Sequence, residues 1–103
     1  ITSENGSKHT IIKNYGFIVS KQINGQTVTI HGFTFELNYG NTNPAIQIGS
    51  ETSIVDVKIT CQYQTCNGIK MDDPDGYSIS ISNSYFNVKQ IQGEGTYATP
   101  GYA

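Results

Sequence analysis

The chain has 103 residues, 14% of them charged, with six Lys, no Arg and a net charge of −2. That length holds one small domain with a modest core, so flanking repeats or partner chains are expected to add to its stability. Six scattered Lys residues cannot line a nucleic-acid groove, and no apolar run nears the ~20 residues of a membrane-spanning helix, so neither nucleic acid nor a membrane is an expected partner.

The apolar complement points to strands. Ile and Val occur 19 times, against one Leu and three Ala, and Ser, Thr, Asn and Gln together occur 36 times. β-Branched residues suit a pleated, half-buried surface, while the strong helix formers are largely missing. Neither a signal peptide nor an initiating Met is visible, so a processed or excised piece is expected.

In chain order, residues 1–8 are polar and read as the completion of a turn from an earlier repeat. Asn5-Gly6-Ser7 formally matches a glycosylation acceptor but is more simply a turn. Residues 10–17 form the first apolar–polar alternating segment, followed by a second short run at 17–20. Residues 28–35 repeat the pattern, then comes the longest loop, 38–43, and a run at 45–49. Residues 57–63 form the third such segment, with a run at 68–71, and residues 79–86 the fourth, with a run at 88–93. Residues 93–103 are rich in Gly and Tyr without periodicity and read as an extended tail or a cap.

The four segments place Ile12, Ile30, Ile59 and Ile81 at equivalent positions, as anchors of one inward column. Asn14, Gly32 and Asn83 then share a corner column, where left-handed backbone is tolerated. The runs after the loops align Ile46 with Ile69 and Ile48 with Met71, each pair on one strand face. Tyr63, Tyr85, Phe86, Phe17 and Phe35 are expected to extend an aromatic stack along one edge. A unit of this size with two or three short strands suits a solenoid coil.

The stretches 43–60 and 67–86 resemble coils of the pectate-lyase-like and polygalacturonase-like right-handed β-helices, a superfamily that includes phage tailspikes. The likeness spans about residues 9–92 and is carried by structural motifs. It implies an all-β fold, a short right-handed parallel β-helix of about four coils. A β-sandwich with mainly antiparallel pairing is the alternative. The whole chain, 1–103, is read as a single β domain. A tailspike or tail-fibre protein would sit on a virion or in the extracellular space as a trimer, or with flanking coils covering its open ends. It would bind a host-surface glycan or receptor.

The catalytic residues of those enzymes are only partly matched. Asn41-Thr42-Asn43 stands where polygalacturonases carry Asn-Thr-Asp, and only Asp72-Asp73 resembles their paired acids. Their Gly-His-Gly and Arg-Ile-Lys segments are absent, as is the Arg that pectate lyases commonly use as a base. A complete active site is therefore not expected in this chain alone. The alternatives are a fragment of a polysaccharide-degrading enzyme with Asp72 and Asp73 as acids, and a stand-alone β-sandwich adhesin or carbohydrate-binding domain.

Among other candidates, Asp72, Asp73 and Asp75 could hold calcium, although Pro-Asp-Gly is first a turn sequence. No cofactor is expected. His31 should point outward, opposite in parity to Ile30. Cys61 and Cys66 are read first as two small buried side chains and second as a disulfide clamping a local turn. Tyr39, Asn41 and Asn43, in an amide-rich loop on a rigid scaffold, are the ligand-binding candidates, because Tyr offers a flat apolar face plus a hydroxyl.

Overall fold

The computed structural model describes residues 1–4, 6–22, 26–38, 43–72 and 77–92, and the backbone of 94–98. These residues form short strands and a single 3₁₀ turn at Gln62–Gln64. The strands are β1 (Ile11–Lys13), β2 (Phe17–Val19), β3 (Val28–His31), β4 (Thr34–Leu37), β5 (Ile46–Ile48) and β6 (Thr52–Val55). They continue with β7 (Lys58–Cys61), β8 (Asn67–Met71), β9 (Ile79–Asn87), β10 (Gln90–Ile91) and β11 (Glu94–Ala98).

Every described strand pair is parallel. The pairing follows a rule of three: β1 pairs with β4, β2 with β5, β3 with β6, β4 with β7 and β5 with β8. The long β9 serves as two strands in succession. Its first half, Ile79–Ser82, continues β6, and its second half, Tyr85–Asn87, continues β7. β10 then lies on β8, and the backbone of β11 runs beside β9. The result is a seven-stranded and a four-stranded parallel sheet built from strand triplets. The antiparallel pairing required by the β-sandwich alternative does not occur among the described strands.

Inward residues of successive triplets lie opposite one another. One column is Ile30–Ile54–Ile81, a second Ile12–Phe35–Ile59–Phe86, and a third Phe17–Ile46–Ile69–Ile91. Ile30, Phe35, Ile46, Ile48, Ile54 and Ile59 are fully buried. Each such side chain contributes roughly 1.5–3 kcal/mol by leaving water. The expected alignment of Ile46 with Ile69 and of Ile48 with Met71 matches the observed register. The single anchor column does not. Ile12 and Ile59 belong to one column and Ile30 and Ile81 to another, because an inward position selects apolar volume and accepts Phe35 or Phe86 as readily as Ile.

The corner that leads into β4, into β7 and into the second half of β9 repeats without gaps. Gly32 (φ 90°), Asp56 (φ 51°) and Asn83 (φ 49°) occupy it in successive triplets, all left-handed. Gly32 N donates to Val55 O (3.1 Å) and Asp56 N to Ser82 O (3.2 Å), so each corner is bonded to the next. Gly, Asn and Asp are the residues that enter this region at least cost. Asn14 is left-handed as well (φ 63°) but sits at the other corner, after β1, and so leaves the expected column.

The N-terminal segment is fastened over this corner. Ser7 donates to the Asp56 carboxylate from its backbone N (3.2 Å) and its hydroxyl (2.8 Å). Ser3 Oγ donates to Gly32 O, and Thr2 bridges His31 in parallel, where a first strand would lie. The expected aromatic edge stack is replaced by a core cluster. Phe17 meets Phe33 and Phe35 edge-on, with centroids 5.0 and 5.1 Å apart, whereas Tyr63 is exposed. His31 is exposed, as its parity predicts.

Candidate functional site

The chain leaves β1 through Asn14, and this residue organises the surroundings. Its left-handed backbone lets its N–H donate to Glu36 O (2.8 Å), while its side-chain Oδ1 accepts from Asn38 N (3.0 Å). Asn14 thus joins the β1–β2 corner to the end of β4. Gly16 follows, pressed against the next triplet: a Cβ here would lie 2.0 Å from Ala45 O. Only the absence of a side chain lets Phe17 N reach that oxygen at 2.8 Å.

Between this corner and residues 43–47 lies a cleft of about 270 Å³. Leu37 and Phe17 close its buried side, and Tyr15, Ile18 and Pro44 give it apolar walls. Asn14, Asn43 and Gln47 supply the polar groups, and no charged residue lines it among the described residues. Tyr15 and Ile18 are 78% and 74% exposed, an unusual placing for side chains of this size. Gln47 is oriented from behind, because its Nε2 donates to Asp72 Oδ1 at 2.9 Å. A carboxylate accepts only, so the amide nitrogen is the atom that faces it.

A second exposed aromatic lies on the same side of the strand ends. Cys61 and Cys66 form a disulfide, the second of the two sequence readings, with Cα atoms 5.9 Å apart. It encloses the 3₁₀ turn Gln62–Gln64, where Tyr63 (φ 56°) and Gln64 (φ 57°) are both left-handed. Such backbone costs roughly 1–2 kcal/mol per residue outside Gly, and the covalent clamp offsets it. Tyr63 is 79% exposed at the tip of this turn.

Of the ligand-binding candidates, Asn43 lines the cleft, while Tyr39 and Asn41 lie outside the described residues. Asp72 is described and committed to Gln47; Asp73 and Asp75 lie outside the described residues. No cluster of three or more acidic, His or Cys side chains able to hold a metal occurs among the described residues.

Tyr15, Ile18 and Gln47 were not candidates on sequence grounds. A signal was present: Asn14-Tyr15-Gly16 recurs as Asn38-Tyr39-Gly40, and Tyr15, Tyr39 and Tyr63 are each 24 residues apart. That spacing is one triplet, legible only once the triplet length is known.

Fold and site together define a repetitive, parallel-sheet all-β protein with an uncharged, aromatic-edged surface cleft. No protein-family model matches the chain, and neither a curated protein nor a solved structure does.

Proposed function

We propose that this chain is a surface-binding segment of a larger right-handed parallel β-helix, of the tailspike or tail-fibre kind, and that it recognises a host-surface glycan. The observation that carries this reading is the pairing of each strand with the third one after it, always in parallel. A β-helix of three-stranded coils needs that pattern, with about four coils here. The uncharged cleft beside Tyr15 and Asn43 fits sugar hydroxyls, which need donors and acceptors without net charge. Tyr39 and Asn41, also ligand-binding candidates, adjoin Asn43 in sequence and lie outside the described residues.

The first triplet supports the placing in a larger assembly. Ile1, Ile11, Tyr15 and Ile18 are exposed, and β1 and β2 stand at sheet edges. Open strand edges with apolar side chains are normally covered, here by flanking coils or by two further copies in a trimer. Such proteins work on virions or outside the cell. The fragment-of-an-enzyme reading draws no support from Asp72, whose carboxylate is bound to Gln47.

The test is binding to an array of cell-surface glycans, with Tyr15→Ala and Asn43→Ala as controls of the site. Retention on one glycan group, lost in either variant, is expected. Retention on no glycan refutes the reading.

A further inference from the structure

The glycan reading leaves open what kind of glycan the surface takes; resting on that reading, we infer that the ligand is an uncharged, linear oligosaccharide crossing the strand ends from Tyr15 to Tyr63. Both rings are exposed, and both follow the end of a strand of one sheet by two residues, Tyr15 after β1 and Tyr63 after β7. Only β4 lies between β1 and β7 in that sheet. Two strand spacings separate the turns that carry the rings, roughly 9–10 Å. One sugar ring does not cover that span, so a single chain contacts both aromatics only if it is several units long.

The chemistry of the lining selects against charge. A tyrosine ring stacks on the C–H face of a sugar, and its hydroxyl bonds at the rim. The polar groups of the cleft are the amides of Asn14, Asn43 and Gln47. Two groups of charge near these strands are already engaged. Lys13 lies 4.0 Å from Glu36, and the Asp72 carboxylate accepts from Gln47 Nε2 at 2.9 Å. An acidic sugar calls for a cationic fork, and the chain contains no Arg. The disulfide around Gln62–Gln64 gives the Tyr63 platform a fixed position, which reduces the entropy lost on binding.

The experiment titrates the disulfide-intact protein with neutral hexose oligomers and with oligogalacturonates, each in increasing lengths, and repeats the series on Tyr15→Ala, Tyr63→Ala and Tyr63→Phe. Unchanged thermal melts confirm that these exposed positions leave the fold intact. The inference expects neutral oligomers to bind, more tightly as they lengthen. Each Ala variant should lose about tenfold in affinity, and Tyr63→Phe should retain most of it. Binding confined to the oligogalacturonates, or neutral binding indifferent to Tyr63→Ala, overturns the inference and leaves the glycan reading standing. Binding of neither series, with the glycan array also blank, overturns both.

Discussion

Gly16→Ala tests the construction of the cleft, because at this position the next triplet leaves no room for a side chain. The new Cβ would sit 2.0 Å from Ala45 O, 2.7 Å from Ala45 C and 3.0 Å from Ala45 Cα. All three are backbone atoms, so no side chain can swing aside, and the two triplets must part by roughly 1.5 Å to reach van der Waals distance. The shift breaks the Phe17 N to Ala45 O bond, worth about 1 kcal/mol, and adds an overpacking cost of about 1–3 kcal/mol. A total near 3 kcal/mol lowers the melting temperature of a domain this size by roughly 12–24 °C. Thermal unfolding followed by far-UV circular dichroism measures the loss, and glycan binding by the folded variant should fall in parallel. A melting temperature within 2 °C of the wild type, taken as about the shift of 0.5 kcal/mol or less, would refute the close approach.

Three further outcomes follow from other parts of the structure. Ile54→Ala removes a fully buried residue from the middle of the Ile30–Ile54–Ile81 column and should cost about 2–5 kcal/mol in denaturant unfolding. Replacing Cys61 and Cys66 by Ser opens a six-residue loop, for which chain entropy predicts a loss of roughly 2 kcal/mol, and increased proteolysis at Gln62–Gln64 should accompany it. Glu51, partly exposed, accepts from the hydroxyl (2.5 Å) and backbone N (3.2 Å) of Ser78, and these bonds hold its pKa below the usual 4.5. A depressed carboxylate stabilises the fold above its ordinary pKa and loses that contribution as pH falls through its folded value. The wild type should therefore lose more stability than Glu51→Gln between about pH 6 and about pH 3.

The sequence carried the class of the fold and part of its register. Alternation of Ile and Val with polar residues is a local property, and it located Ile46, Ile48, Ile69 and Met71 on the strand faces where they pair. Left-handed turns were legible at Asn14, Gly32 and Asn83 because few residue types enter that region cheaply. Column membership was not legible from identity. Phe35 and Phe86 fill inward positions that Ile fills in the neighbouring triplet, so matching Ile to Ile merged two columns into one. For the same reason β6 went unnoticed, although Thr52–Val55 lies between β3 and β9. Asp56 was hidden as a corner residue because its charge suggests solvent, whereas its carboxylate is taken up by Ser7.

The candidate site was legible in its chemistry and less so in its position. An amide- and Tyr-rich surface was expected from the 38–43 loop, and Asn43 does line the cleft. Tyr15, Ile18 and Gln47 come to it from β1–β2 and β5, through a pairing between strands nearly 30 residues apart. Nothing local in the sequence announces that contact.

Parallel stacking of triplets leaves a distinct pattern of nuclear Overhauser contacts between backbone protons. Isotope-labelled protein should show parallel-type contacts that place Ile54 opposite both Ile30 and Ile81, and Ile59 opposite both Phe35 and Phe86. Strong α-proton to α-proton contacts between neighbouring strands, the mark of antiparallel pairing, would contradict parallel stacking.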